Sequence, residues 1–228
     1  MSKVKVFCFG FGQVAKYFVK KIIKEKQDLE INVSSRKKTH TLTFESLNLN
    51  SYEFNEEKID KNINTKIKDA DFILLSIPPI DDEDIVLKNF EEIIKKTKPK
   101  WITYLSATSI YGDHDGGWVD ETSETKPTSV SGMKRLKAEN RWLKFSNENN
   151  LPLQIFRLSG IYSKQNNILK RLISGQAKIV KKENHYFSRI HVEDIANLLF
   201  YSMKKFKKKE IYNISDDKPA SQEEIASY

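Results

Sequence analysis

Residues 104–121, YLSATSIYGDHDGGWVDE, crowd hydroxyls and carboxylates into a short span. Tyr104 to Ala107 reads as a buried strand that ends in a Ser/Thr cluster. A Tyr-Gly turn at Tyr111 and a Gly-Gly loop with acidic flanks follow. Hydroxyls at the C-terminal end of an α/β strand stand where ligands bind, and they can orient a substrate or pass a proton. The acids Asp113, Asp115, Asp120 and Glu121 resemble paired catalytic carboxylates at first sight. Loop solvation and turn formation explain them better.

A second constellation opens the chain. FGFGQVAK holds Gly10-x-Gly12-x-x-Ala15 between an apolar strand and a helical pattern, the setting a dinucleotide fingerprint requires. Gly10 permits the tight turn, Gly12 lets the backbone approach a pyrophosphate, and Ala15 allows close helix–strand packing. The amides at the helix start, Gln13 and Val14, would then meet the phosphates. NAD-selective sites usually carry an acid at the end of the second strand. Here that end reads Ser34-Ser35-Arg36-Lys37-Lys38, with no acid. Ser35 and Arg36 suit a 2′-phosphate by charge and bidentate geometry, so the expected cofactor is NADP before NAD. The alternative for Arg36 is a solvated loop residue. The histidines and Cys8 show no metal-ligand spacing, so no metal is expected.

These residues need elements to hold them, and the pattern supplies strands alternating with helices. KVKVFCFG, LEINVSSR, ADFILLSIPP, KWITYLSAT and LPLQIFRLSGIY read as strands, with SYEFN as a short third strand. QVAKYFVKKIIKEK, residues 81–97 and SGMKRLKAENRWLKFSNE read as helices. The expected fold is a Rossmann-type α/β domain: a doubly wound parallel sheet over residues 1–160, with ligands at the strands' C-terminal edge. Residues 161–228 are expected to form a small substrate lobe plus returning core elements. Within it, 165–174 and 193–205 look helical, and AKIV (177–180) and YFSRI look like short strands. The end, PASQEEIASY, resembles a helix just beginning, which suggests a longer native protein.

The bulk numbers bound the function classes. At 228 residues, with 39% hydrophobic and 31% charged residues, the chain can bury a core. No apolar run approaches the ~20 residues of a membrane helix. The start lacks a signal-peptide pattern, and a lone cysteine in an apolar strand points to a reducing, cytoplasmic setting. The net charge of +8 comes largely from scattered lysines. Solvated helix ends explain them better than nucleic acid, since no recognition motif accompanies them. A basic surface would also suit a polyanionic cofactor or substrate.

The blocks LSATSIYGD, GGWVDET, KPTSVSGMKRLKAE, FRLSGIY, RIHVEDIA and IYNISDD resemble the extended and atypical short-chain dehydrogenase/reductases. More closely, they resemble the NAD-dependent epimerase/dehydratase group acting on nucleotide sugars, across residues 3–218. That resemblance implies a small-molecule substrate, a nucleotide sugar, and leaves a homodimer open. It also implies a Ser or Thr and a Tyr-x-x-x-Lys as catalytic machinery. Laid on this chain, the Ser/Thr position falls on Ala107, the Tyr on Ser131 and the Lys on Arg135, while Gly132 and Glu139 fit. Ala107 cannot hydrogen-bond, serine does not ionise where a tuned phenol does, and arginine can still grip a ribose. Thr108 or Ser106 could return the hydroxyl by a one-residue slip, and Tyr111, expected at the mouth of the cofactor cleft, is the nearest phenol. The resemblance further places Ser76, Ile77 and Pro78 against the adenosine side of the cofactor, with a plain strand stop as the alternative. It sets Ser159 near the nicotinamide, and it likens RIHVED (189–194) to the family's substrate-lobe block, where His191 could meet substrate. A structural link, with Glu193 and Asp194 capping the next helix, fits His191 better. The rival to an enzyme is a cofactor-binding sensor or partner module without redox turnover.

Overall fold

The computed structural model describes residues 3–25, 28–80, 83–175, 185–206 and 210–226. The first strand, β1 (Val4–Phe9), is apolar except at Lys5, and it is fully buried from Val6 to Phe9 because both faces are covered there. Val6 and Cys8 point into one buried cluster, and Phe7 and Phe9 into the other. Helix α1 (Gln13–Glu25) buries Val14, Ala15, Phe18, Val19 and Ile22 on the first side. Strand β2 (Leu29–Ser35) pairs in parallel with β1.

A hairpin follows, β3 (His40–Phe44) and β4 (Leu47–Glu53), with β4 parallel to β2 and β3 antiparallel to β4. The expected short third strand at SYEFN is therefore the end of a longer one. Its partner β3 was hidden by an exposed pattern, as befits an edge strand. Helix α2 (Asn62–Lys68), absent from the sequence reading, buries only Ile63 and Ile67. It leads into β5 (Phe72–Leu75), helix α3 (Ile85–Thr97), β6 (Trp101–Ala107) and a 3₁₀ turn at Thr108–Ile110.

The long helix α4 (Val130–Asn149) and the buried strand β7 (Leu153–Leu158) come next. Beyond them lie β8 (Gly160–Tyr162), α5 (Ile168–Ile173), β9 (Arg189–His191), α6 (Val192–Lys204), β10 (Ile211–Ile214) and α7 (Gln222–Ala226). The strand expected at AKIV lies outside the described residues. His191 itself caps α6, its Nδ1 accepting from the Glu193 amide at 3.4 Å, where Glu193 and Asp194 had been expected to do so.

Among the described residues, eight strands form one mostly parallel sheet in the order β10-β7-β6-β5-β1-β2-β4-β3, and β8 and β9 pair separately. Helices α1 and α6 cover one face with Val14, Phe18, Ile22, Val192, Ile195 and Leu199. Helices α2, α3 and α4 cover the other with Ile63, Ile67, Phe90, Ile94, Ala138 and Trp142. Successive strands run outward from β1 in opposite directions, so the crevice between β1 and β5 is the topological switch point, where such sheets bind ligands. No helix among the described residues is long and apolar enough to cross a membrane.

Candidate functional site

At the switch point β1 ends in Gly10, whose φ of +87° lies in the left-handed region that favours glycine. A Cβ there would stand 2.8 Å from Ser76 Oγ and 3.1 Å from Ile77 Cγ1. Three hydrogen bonds from two neighbours, Ser34 and Ser76, hold the turn. The Gly10 amide donates to Ser34 Oγ at 3.0 Å. Ser76 Oγ donates to the carbonyls of Phe9 (2.8 Å) and Gly10 (3.2 Å). The expected adenosine contacts Ser76 and Ile77 thus first serve to brace the glycine turn.

Gly12 differs from Gly10. It is exposed, its φ is not left-handed, and a Cβ would meet nothing within 4 Å. Its carbonyl takes the Lys16 amide at 3.0 Å, so the first turn of α1 opens directly after it. That turn carries no acid, which leaves the positive end of the helix uncompensated. Open space beside a helix N-terminus, over a turn that only glycine fits, suits a pyrophosphate. Val14 is buried and its backbone belongs to this turn. The Gln13 side chain is occupied elsewhere: Nε2 donates to Ser163 Oγ at 2.6 Å.

At the end of β2, Ser35 Oγ meets Ser51 Oγ at 3.0 Å, and Arg36, Lys37 and Lys38 are exposed. The sheet adds a residue that reading along the chain overlooked. Glu53 of β4 is in register with Ser35, so one carboxylate does stand at this edge, a strand away from the cations.

Past β5, an open cleft of about 380 Å³ is lined by Pro78, Pro79, Val130, Ser131, Lys134 and Arg135, a volume within the range of small-molecule sites. Ser129 caps α4, its Oγ accepting from the Gly132 amide at 3.0 Å. A Cβ at Gly132 would lie 2.5 Å from the Ser109 carbonyl. Glycine therefore lets α4 press against the 3₁₀ turn, which brings Ser131 beside the end of β6. Ser131 is exposed, and Arg135 donates from Nη1 to the Leu105 carbonyl at 3.1 Å. Thr108 opens the 3₁₀ turn half-buried, its carbonyl accepting from the Tyr111 amide at 3.1 Å. Ser106 and Ser159 are buried, and neither Oγ has a hydrogen-bond partner.

Tyr111 is not at the mouth of this cleft. It is 2% exposed, donates to Asn213 Oδ1 at 2.7 Å and accepts from Arg157 Nη1 at 2.7 Å. Arg157 in turn pairs with buried Glu139 at 3.0 Å. Burial works against the Arg157 cation, but Glu139 and Tyr111 outweigh it and hold its pKa above the usual value. The phenol is thus one corner of a network joining the Tyr-Gly turn, α4, β7 and β10. A lone arginine in the apolar strand LQIFRL was the signal for that network, because buried charges need partners. The loop acids behave as turn formers: Asp113 Oδ1 accepts from the Asp115 amide (2.8 Å) and Asp120 Oδ1 from the Thr122 amide (2.9 Å). Glu121 is the exception, its Oε1 accepting from the Asn213 amide at 2.6 Å. Among the described residues, no group of three or more His, Cys, Asp or Glu is placed to hold a metal ion.

The model of the NAD dependent epimerase/dehydratase family matches residues 81–215. The chain belongs to this family. No curated protein matches it. One similar solved structure is a functionally unknown conserved protein from Silicibacter pomeroyi DSS, at 29% identity and TM-score 0.83, over 99% of this chain and 77% of that one. The UDP-glucuronic acid 4-epimerase from Bacillus cereus, solved with NAD, has TM-score 0.80 at 16% identity, over 98% and 81%. MoeE5, solved with UDP-glucuronic acid and NAD, has TM-score 0.79 at 17% identity, over 98% and 80%. Of the positions where the resemblance expects Ser or Thr, Tyr and Lys, Ala107 ends β6, and Ser131 and Arg135 lie in the first turns of α4.

Proposed function

We propose that this chain binds NADP(H) ahead of NAD(H) across the β1–β5 crevice and acts on a nucleotide sugar, with an altered acid–base set. The observation that carries the reading is the glycine turn: Gly10 braced by Ser34 and Ser76, and Gly12 open beside the start of α1. Gly10, Gly12 and the amides of Gln13 and Val14 would hold the pyrophosphate, and Ser35 and Arg36 the ribose phosphate. Ser76, Ile77 and Pro78 would flank the bound nucleotide, with Arg135 and Ser159 toward its reactive end. When bound, the nicotinamide supplies a hydride acceptor or donor. Thr108 and Ser131 would orient a substrate hydroxyl by hydrogen bonding, and Arg135 would supply fixed positive charge. Family membership, and the complex of the structural neighbour MoeE5 with UDP-glucuronic acid and NAD, support this substrate class.

One observation favours a second reading, a dinucleotide-binding sensor without turnover. The nearest phenol, Tyr111, is committed to Asn213 and Arg157, and Ala107 offers no hydroxyl. The test is nicotinamide fluorescence with NADPH in a binding titration, followed by addition of UDP-sugars and their 4-keto forms. Binding with cofactor oxidation or reduction supports the enzyme. Binding without any redox change, also after Ala107→Ser, Ser131→Tyr and Arg135→Lys are combined, supports the sensor. No binding of either dinucleotide defeats both.

A further inference from the structure

The loop between the Tyr-Gly turn and α4 carries an anomaly. The protein has three tryptophans: Trp101 and Trp142 are fully buried, whereas Trp118 is 82% exposed. A side chain of that area left in water is the kind of feature that marks a contact surface. Its loop is not loose at the base. Lys126 N donates to the Tyr111 carbonyl at 3.3 Å, and Gly117 N to the His114 carbonyl at 2.8 Å. Three residues past Trp118, Glu121 Oε1 holds the Asn213 amide, and the Glu121 carbonyl accepts from Arg157 Nη1 at 3.4 Å. Three residues span about 10 Å at most, so the Trp118 backbone lies within that distance of Glu121, whose side chain reaches β10 at Asn213.

The same corner holds one carboxylate oxygen without a hydrogen-bond partner, beside the Arg189 cation. Asp216 lies just beyond β10, its amide donating to the Arg189 carbonyl at 2.6 Å, yet its Oδ1 is buried with no hydrogen-bond partner. Arg189 is half-buried and donates from Nη1 to the carbonyls of Phe187 (2.8 Å) and Ala220 (3.4 Å). A buried carboxylate oxygen left unpaired is costly unless a ligand or water meets it. Along the sheet edge this corner comes after the glycine turn of β1, the cleft beside β5 and the end of β7. It is therefore where a substrate would lie beyond a dinucleotide spread over the first three.

An aromatic face, a carboxylate acceptor and a guanidinium donor together match a polyhydroxylated ring. Its C–H face can stack on an indole while its hydroxyls both donate to Asp and accept from Arg. We propose that Trp118, Asp216 and Arg189 form the subsite for the sugar ring of the substrate, with Trp118 as its platform. This rests on the nucleotide-sugar reading above.

The buried state of Trp101 and Trp142 makes the test direct, since acrylamide should quench Trp118 selectively. UDP-glucuronic acid, UDP and NADP+ are each added to the intact protein, and melting temperature and acrylamide quenching are read in parallel. The expected result is a melting shift with UDP-glucuronic acid or another UDP-sugar, together with protection of Trp118, and no such protection by UDP or NADP+. Trp118→Ala should weaken the UDP-sugar roughly 3- to 10-fold and leave UDP and NADP+ affinities unchanged. Asp216→Asn should also weaken the UDP-sugar and spare UDP. A melting shift without protection would overturn the Trp118 assignment and leave the nucleotide-sugar reading standing. Equal protection by UDP would move the platform to the base and overturn the sugar assignment. Protection that grows with protein concentration in the absence of ligand would make Trp118 a contact between copies, which also overturns it. Absence of any shift across a panel of UDP-sugars would take down the substrate class and this subsite together.

Discussion

Gly10 and Gly12 belong to one sequence motif, yet their substitutions should fail in different ways. At Gly10 an alanine must adopt φ +87° and place its Cβ 2.8 Å from Ser76 Oγ. The left-handed region costs a non-glycine residue roughly 1–2 kcal/mol. Ser76 must also move, which loosens its bonds to the Phe9 and Gly10 carbonyls, at about 0.5–1.5 kcal/mol for each bond lost. A loss of about 2–5 kcal/mol lowers Tm by roughly 2–4 °C per kcal/mol in a domain of this size, so Gly10→Ala should melt about 4–20 °C lower. At Gly12 there is no left-handed φ and nothing within 4 Å of a Cβ, so Gly12→Val should melt within about 2 °C of the native protein. Its isopropyl group would fill the open space over α1. A ligand at ~100 times its Kd adds about 2.7 kcal/mol to the native protein, a shift of roughly 5–10 °C, and Gly12→Val should lose that shift. Differential scanning fluorimetry with and without NADP+ reads both quantities. A Gly12→Val protein that keeps the full ligand shift would put the phosphates elsewhere and refute the site.

The other expectations use the same preparations. NADPH should bind more tightly than NADH, and Arg36→Ala should remove most of the difference, on the order of 1–3 kcal/mol, without touching NADH; equal affinities in the native protein would refute the 2′-phosphate assignment, and would point to Glu53 as a ribose ligand. Tyr111→Phe strips Arg157 Nη1 of a buried acceptor and should cost about 1–3 kcal/mol in urea unfolding while sparing cofactor affinity; lost turnover at unchanged stability would instead return the phenol to the chemistry. Burial pushes the Cys8 thiol up to about 12, so the native state keeps a proton that the unfolded chain releases above ~8.5. The unfolded state then binds fewer protons and stability falls as pH rises from there. Comparison with Cys8→Ala should show a thiol-specific loss of about 1–2 kcal/mol by about pH 10, and a flat difference would contradict the burial.

What the sequence disclosed follows from which forces act locally. Strand β1 and helix α1 were legible because apolar periodicity and the glycine spacing are carried by adjacent residues. The alternation of strands and helices pointed to ligands at the strands' C-terminal edge, while the switch point between β1 and β5 follows only from the strand order. The hairpin β3–β4 was not legible, because an exposed edge strand such as HTLTF has little apolar signal. Helix α2 escaped for a related reason: its buried stripe is two isoleucines among polar residues. At the site, the resemblance located Ala107, Ser131 and Arg135 by spacing, and the structure gathers Ser131 and Arg135 around one cleft. Tyr111 was misjudged because its partners, Asn213 and Arg157, are 102 and 46 residues away, and nothing local announces pairing over such separations.

The fate of Tyr111 bears on how this chain could work at all. A phenol that serves as a base must exchange its proton with a ligand, so it needs an open face and a cation that is not already spent. Here the hydroxyl gives its proton to Asn213 and takes one from an Arg157 that also holds Glu139. Breaking that network to free the phenol would leave Glu139 and Arg157 buried and unequally matched, a change worth several kcal/mol. On the proposed reading, proton transfer on a bound sugar would then fall to the exposed hydroxyl of Ser131, to Thr108 or to water in the open cleft beside Arg135. None of these is a strong base near neutral pH, and losing a tuned acid–base group costs typically ~10²–10⁴ in rate. On the proposed reading, chemistry on a bound nucleotide sugar would be slow, and the glycine turn rather than an acid–base trio would carry recognition.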